Sequence, residues 1–287
     1  MNEFKIKSYC KVNLSLRILK KLSNGYHNIK SLITFCDLYD VITIKKIKEK
    51  KDFISFTGKF KKGINNKSNT IIKVLYQLRK NKFLKNQAFK INVHKNIPHG
   101  SGLGGGSANA ANLLNFFNSK MHLKLNKKKI KKIANRIGFD TPINLERKNT
   151  LLTGKRGQIL RINHKFNLNI LIVYPNIICS TKKIYKKNKT FTISRSQFDI
   201  NLMNKSQLIA FLKKEQNDLE KTVVKFHSKV GKVIDFIKNQ KGCYFSRITG
   251  SGSACIGIFS DMKTAISTQK LIKLKFPKYW CVVSKTM

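Results

Sequence analysis

The segment PHGSGLGGGSANAANLL, Pro98 to Leu114, constrains this chain more than any other. Glycines at 100, 102, 104, 105 and 106 leave the backbone unshielded, and Ala110, Leu113, Leu114 and Phe117 then recur at helical spacing. A glycine run lets the backbone approach an anion closely, and a helix beginning at its end aims free N–H groups at the same place. The alternating Phe89, Ile91 and Val93 before it read as a strand, and Ser107 is placed to cap the helix. Phosphate binding is the chemistry this pattern supports; a flexible glycine turn is the plainer alternative.

Gly100, Gly102 and Gly105 satisfy G-x-G-x-x-G, a weak signal alone. A dinucleotide fold needs an acid about 20 residues further on for the ribose. Residues 106–139 contain no Asp or Glu. The chain has no G-x-x-x-x-G-K-[ST] string, no H-R-D or D-F-G, and no G-x-S-x-G. Walker-type NTPases, protein kinases and α/β-hydrolases are therefore unsupported.

Around the loop the elements are mixed. Val12, Leu14, Leu16 and Ile18 alternate with Lys11, Asn13, Ser15 and Arg17, and Asn24-Gly25 gives a tight-turn signal before Leu32–Phe35. Val41–Ile44 and Phe53–Phe56 continue the β-rich run. Asn69 and Asn126 are placed to cap helices, and Gly138 ends the second of them. The pattern resets near residue 160. Beyond it come a strand from Leu168 to Tyr174, a Lys-rich loop around 182–205 and a helix from Asn217-Asp218-Leu219-Glu220 to Lys238. A strand–glycine turn–strand unit, a helix and a final strand close the chain. Strands and helices intermixed with hairpin signals define an α+β chain. Its 287 residues divide into two expected domains, 1–160 and 161–287.

There are 59 Lys+Arg against 13 Asp+Glu, a net charge of +46. Lys is spread through every segment in company with Asn, Ile and Phe, which share A- and T-rich codons, and Arg is sparse. Compositional drift explains the excess without a specific nucleic-acid partner, and no zinc-finger or RNA-binding signature is present. No apolar run approaches the roughly 20 residues of a membrane span, and the N-terminus lacks a signal core. Six scattered cysteines with no C-x-x-C fit ordinary buried thiols in a reducing cytoplasm and exclude a zinc module.

The loop resembles the nucleotide motif of the GHMP kinase family, P-x-x-x-G-L-G followed by small residues, with Gly102-Leu103-Gly104 at its centre. Three further segments narrow the resemblance to the branch that phosphorylates a cytidyl-methylerythritol: Lys11 to Ile29, IGFDTPINL (Ile137 to Leu145) and ITGSGSACIG (Ile248 to Gly257). NDLE (Asn217–Glu220) also fits. The resemblance implies a two-domain fold, an N-terminal mixed α/β domain with the phosphate loop and a ferredoxin-like C-terminal domain. It implies transfer of the ATP γ-phosphate to the 2-hydroxyl of the cytidyl-methylerythritol, with Mg²⁺ as the nucleotide's counter-ion. The enzyme would be cytoplasmic, a monomer or homodimer, with no nucleic-acid or membrane partner and no dedicated metal site. Another GHMP small-molecule kinase and a basic nucleic-acid-binding protein are the alternative readings.

By the same resemblance Asp140 is the general base and Lys11 its cationic partner. ATP would lie on Pro98, His99, Gly100, Ser101, Gly102, Leu103, Gly104, Gly105, Gly106, Ser107 and Ala108. Ala108 stands where many members carry a second Ser, which leaves Ser107 as the hydroxyl there. Asn13, Tyr26, His27, Tyr185, Gly250, Ser251 and Gly252 would bind the second substrate, with the two tyrosines stacking on the cytosine and His27 reading its edge. Taken alone, a lysine on a strand face is ordinarily solvated, and a Tyr-His pair after a turn is ordinarily decoration.

Overall fold

The computed structural model describes residues 3–23, 25–154, 158–192, 200 and 203–287. Asn24 of the expected turn lies outside the described residues, as do 193–199 and 201–202 of the Lys-rich stretch. The strands are β1 (Glu3–Asn13), β2 (Arg17–Lys21), β3 (His27–Ile47), β4 (Phe53–Thr57), β5 (Ala88–His94), β6 (Asn149–Thr153), β7 (Gln158–Ile162), β8 (Asn169–Tyr174), β9 (Cys243–Ile248), β10 (Cys255–Phe259) and β11 (Trp280–Lys285). The helices are α1 (Thr70–Lys80), α2 (Gly105–Lys120), α3 (Lys127–Ile137), α4 (Thr181–Lys187), α5 (Lys205–Lys214), α6 (Glu220–Phe226), α7 (Ser228–Lys238) and α8 (Met262–Lys275). They form two compact units. One holds the chain up to Lys11, Leu38–His99 and Gly104–Arg147; the other holds Val12–Asp37, Gly100–Leu103 and Lys148–Met287.

In the first unit, β5 pairs antiparallel with Val41–Ile47 of β3 and parallel with β4. The Asn69 side chain accepts from the Ile71 and Ile72 amides at the start of α1, and Asn126 accepts from Lys129 at the start of α3. Both caps stand where the sequence puts them. Apolar faces of α1, α2 and α3 close on the sheet through Ile71, Val74, Leu113, Phe117, Ile133, Ile42 and Ile91, all buried. Each such side chain contributes about 1.5–3 kcal/mol by leaving water.

Behind the glycine loop lies an ion pair that the sequence does not disclose. Asp40 and Lys95 are 0% and 2% exposed and form a salt bridge. Asp40 also accepts from the amides of Asn96 (2.8 Å) and Ile97 (2.9 Å) and from the Asn109 side chain (3.0 Å). The carboxylate thus pins both the strand end that leads into Pro98 and the first turns of α2. Burial pushes the Lys95 ammonium below its ordinary pKa, against the pull of Asp40. Breaking such a pair leaves one buried charge uncompensated. Asp40→Ala is therefore expected to lower the unfolding free energy by about 3–5 kcal/mol in urea denaturation.

In the second unit, the His27 end of β3 pairs with β2, Ser31–Ile33 pair with Thr150–Leu152 of β6, and β6 pairs with β7. A separate antiparallel sheet runs β11-β8-β10-β9. With helices between β8 and β9 and α8 between β10 and β11, this is the ferredoxin-like βαββαβ order that the resemblance implied. Every residue of β8 is buried. Val230, Val233 and Ile237 of α7 and Ala265 and Ile272 of α8 are buried as well.

Four expectations need correction. The expected helix from Glu220 to Lys238 is two, α6 and α7, broken at His227 (φ −140°, ψ 73°). The Lys-rich stretch is not all loop, since its first part is α4. Ser107 does not cap α2: the N-cap is Gly104, in the left-handed region at φ +69°. The cysteines form no disulfide among the described residues, but only four are buried, with Cys243 and Cys281 half-buried. Burial pushes the thiols of Cys179 and Cys243 up to about 11, which keeps them protonated and unreactive.

Candidate active site

In the first unit, Asp140 sits on the turn between the end of α3 at Ile137 and a 3₁₀ turn at Ile143–Leu145. Its carbonyl accepts from the Asn144 side chain (2.7 Å), and the Asn115 side chain of α2 donates to Leu145 O (2.9 Å). Helix α2 and the Asp140 turn are thereby tied together. Lys11 Nζ lies 3.4 Å from Asp140 Oδ2. The Lys11 side chain is 4% exposed and that of Asp140 36%. Lys11 is thus no solvated strand-face lysine.

Gly104 explains the position of that lysine. A Cβ on Gly104 would stand 2.8 Å from Lys11 Cε and 2.9 Å from Cγ, so the lysine stem lies directly against the loop. The first bond inside α2 is donated by Ala108 to Gly104 O (2.9 Å). The amides of Gly105, Gly106 and Ser107 precede it and mark the positive end of the helix dipole. Residues 53–139 contain no Asp or Glu, so nothing acidic in that stretch opposes an anion there. His99 turns elsewhere: its Nε2–H donates to Lys62 O (2.8 Å). Ala108 is buried within α2, and Ser107 lies in its first turn.

The second unit carries the rest of the loop. Gly100 O accepts from Cys179 N (3.1 Å), and Ser101 O accepts from Ala254 N (3.0 Å). A Cβ on Gly102 would come within 2.1 Å of Thr249 O. Gly100–Leu103 therefore packs backbone to backbone against the last glycine turn. There Asn13 N donates to Thr249 Oγ1 (2.8 Å), the Asn13 side chain donates to Ser31 Oγ (2.8 Å), and the Ser251 and Thr181 hydroxyls lie 2.9 Å apart. A Cβ on Gly252 would meet Val223 at 3.1 Å, so this glycine too is set by packing.

Tyr26 is 64% exposed at the β2–β3 turn. His27 and Tyr185 have ring centroids 5.2 Å apart with a 46° tilt, although 158 residues separate them in sequence. Burial, then the charge of Lys21, holds the His27 pKa below its ordinary value. A neutral imidazole offers one donor and one acceptor, the pattern needed to read a nucleobase edge.

Sequence reasoning missed Asp40 and Lys95, and it saw NDLE without a role. Asn217 donates to Ile248 O and Gly250 O, and Glu220 Oε2 accepts from Ile248 N (2.8 Å). Among the described residues there is no group of three His, Cys, Asp or Glu placed to hold a metal, and no helix is long and apolar enough to cross a membrane.

A glycine loop opening a helix, a lysine–aspartate pair against it and a ferredoxin-like sheet define a small-molecule kinase of the GHMP class. The GHMP kinases N-terminal domain matches residues 69–144 and the GHMP kinases C-terminal domain matches residues 201–270. A 4-diphosphocytidyl-2-C-methyl-D-erythritol kinase of Pelagibacter ubique is 40% identical over 100% of both chains. Another, of Caldanaerobacter subterraneus, is 34% identical over 99% of this chain and 97% of its own. A crystal structure of a 4-(cytidine 5'-diphospho)-2C-methyl-D-erythritol kinase superposes with a TM-score of 0.74 at 19% identity, covering 98% of this chain and 99% of that one. A homoserine kinase of Cytophaga hutchinsonii superposes at 0.73 and 17% identity, covering 100% of this chain and 95% of its own, so at this level the likeness is of fold alone. The chain belongs to the 4-diphosphocytidyl-2-C-methyl-D-erythritol kinase family, a branch of the GHMP kinases.

Proposed function

We propose that this chain transfers the γ-phosphate of ATP to the 2-hydroxyl of 4-diphosphocytidyl-2-C-methyl-D-erythritol, a step of non-mevalonate isoprenoid synthesis; its relatives are named as kinases of that compound. The observation that carries the proposal is the Lys11–Asp140 pair lodged against Gly104. The 2-hydroxyl oxygen forms a bond to the γ-phosphorus as the β,γ-bridging bond breaks. ADP leaves with the bridging oxygen, and the hydroxyl proton passes to the Asp140 carboxylate. Such transfers depend mainly on positioning and charge neutralisation. Lys11 supplies fixed positive charge, and the α2 amides supply donors for the phosphates. A Mg²⁺ arriving with ATP would be held mainly by phosphate oxygens and water, and the Ser107 hydroxyl in the first turn of α2 would be the protein oxygen available to it. When bound it neutralises phosphate charge.

In the same proposal, residues 1–160 form the nucleotide-binding domain and 161–287 the second, and the enzyme acts in the cytoplasm as a monomer or homodimer. Asn13, Tyr26, His27, Tyr185 and Gly250–Gly252 bind the cytidyl substrate. The His27–Tyr185 contact supports this assignment because both rings already meet in one place. Tyr185→Ala and Tyr26→Ala are each expected to weaken binding of that substrate by about 1–3 kcal/mol, the scale of base–aromatic stacking. His27→Ala should reduce the preference for cytidyl over uridyl substrate; equal loss on both would reduce His27 to a pocket wall.

A substrate panel read by ADP release tests the function. ADP should appear with the cytidyl substrate and stay at background with mevalonate, homoserine or galactose. Comparable turnover of any of those three would move the chain to another branch of the family.

A further inference from the structure

Asn217, Asp218 and Leu219 of the NDLE segment are buried, Glu220 is half-buried, and none of them is used by the chemistry described above. Asn217 Nδ2 donates to Gly250 O (2.8 Å) and Ile248 O (3.2 Å), while its Oδ1 accepts from Leu219 N (3.0 Å). All its polar capacity on the amide nitrogen is thus spent on the last glycine turn. The same segment grips the start of β2, the strand paired with the His27 end of β3. Leu16 N donates to Gln216 O (2.9 Å), Asp218 N donates to Leu16 O (2.8 Å), and Ile18 N donates to Asp218 Oδ2 (2.7 Å). Two residues beyond Glu220, Thr222 Oγ1 donates to Asn188 Oδ1 (3.1 Å), and Asn188 N donates to Tyr185 O (3.3 Å).

Residues 216–222 therefore touch the glycine turn and α4, both assigned to the cytidyl substrate, and β2, which pairs with the His27 end of β3. Two of these links address different steps. The Asn217 bonds set Gly250, whose own Cβ position faces Gly102 O at 3.0 Å, so they bear on where the phosphate loop and the turn meet. The Thr222 bond sets α4 and its Tyr185, so it bears on the nucleobase.

We propose that this segment is a positioning element with separable ends: Asn217 aligns the glycine turn for phosphoryl transfer, and Thr222 holds the Tyr185 helix for nucleobase binding. The inference rests on the cytidyl-kinase reading. A displacement of about 1 Å at reacting groups costs on the order of 10²-fold in rate. Neither residue touches the reacting atoms in this scheme, so the effect of each must pass through the element it holds.

Steady-state kinetics on the full chain tests it, with concentrations corrected for folded protein. Asn217→Ala is expected to lower kcat at least tenfold with KM for the cytidyl substrate changed less than threefold. Thr222→Val, close in shape, is expected to raise that KM at least threefold and leave kcat within twofold. If Asn217→Ala does not fold, Asn217→Ser keeps one donor and should show the same kcat-only loss at smaller amplitude. Wild-type kinetics in the folded variants, or losses in the same parameter at both positions, overturn the proposal. Wild-type protein that fails to use the cytidyl substrate overturns the functional reading instead, before any variant is measured.

Discussion

Asp140→Asn is expected to lower kcat by about 10²–10⁴ while both substrates still bind, the usual worth of general-base assistance. The amide keeps the shape and the hydrogen-bonding capacity of the carboxylate but cannot take the hydroxyl proton. The backbone of the turn should not notice the change. Its anchors are the Asn144 bond to the Asp140 carbonyl and the Asn115 bond to Leu145 O, and neither uses the carboxylate. Lys11→Met keeps the apolar stem against Gly104 and deletes the charge. Removing one donor from a developing negative charge typically costs about 10²–10³ in rate. Because Lys11 Nζ and Asp140 Oδ2 are 3.4 Å apart, the two changes together should cost less than the product of the single effects. Strictly multiplicative losses would show that the two side chains act independently.

Gly104→Val is expected to raise KM for ATP at least tenfold and to lower kcat as well. Two separate causes act at this residue. Its φ of +69° is a region that a β-branched side chain avoids, with a strain of about 1–2 kcal/mol even for simpler residues. Its new Cβ would also stand 2.8 Å from Lys11 Cε, so Lys11 must move or the loop must open. The second cause links nucleotide binding to chemistry, which a glycine needed only for flexibility would not do. Gly106 offers the contrast: it lacks a positive φ, and the nearest atom to its added Cβ is Thr70 Oγ1 at 3.7 Å. Gly106→Ala should therefore be milder than Gly104→Val on both parameters, as measured by initial rates at saturating cytidyl substrate. Equal effects at the two positions would contradict the steric account.

Local rules made much of this fold readable. Asn69 and Asn126 announce their helices because an Asx side chain before an apolar stripe satisfies the first free amides. Leu168–Tyr174 reads as a strand, its run from Ile170 to Tyr174 being apolar, and becomes β8. The glycine loop was legible because its chemistry lies in one contiguous stretch. Its first helical turn was misread: Ser107 has the right side chain for a cap, but Gly104 starts the helix with its left-handed backbone.

What stayed hidden depends on distant partners. Asp40 and Lys95 are 55 residues apart, and nothing near either one signals a buried pair. Asn217 and Leu16 form an isolated bridge across about 200 positions. The Lys11–Asp140 pair was reachable only through the family resemblance, since one lysine among so many carries no local mark. Val12 to Ile18 alternates as a half-exposed strand should, yet Asn13 and Ser15 on its polar side are as buried as its apolar residues. The Asn13 side chain donates to the Ser31 hydroxyl and its backbone amide to the Thr249 hydroxyl, while the Ser15 hydroxyl accepts from Leu32 N.

The most direct test follows the phosphoryl group itself. The enzyme is incubated with γ-³²P-labelled ATP and the cytidyl substrate, and the labelled products are separated and their phosphorus linkage assigned by NMR. The account expects label in a phosphomonoester on the 2-oxygen of the methylerythritol, formed one-for-one with ADP and lost with Asp140→Asn. Label released as inorganic phosphate, or ADP formed at the same rate without the cytidyl substrate, would contradict it.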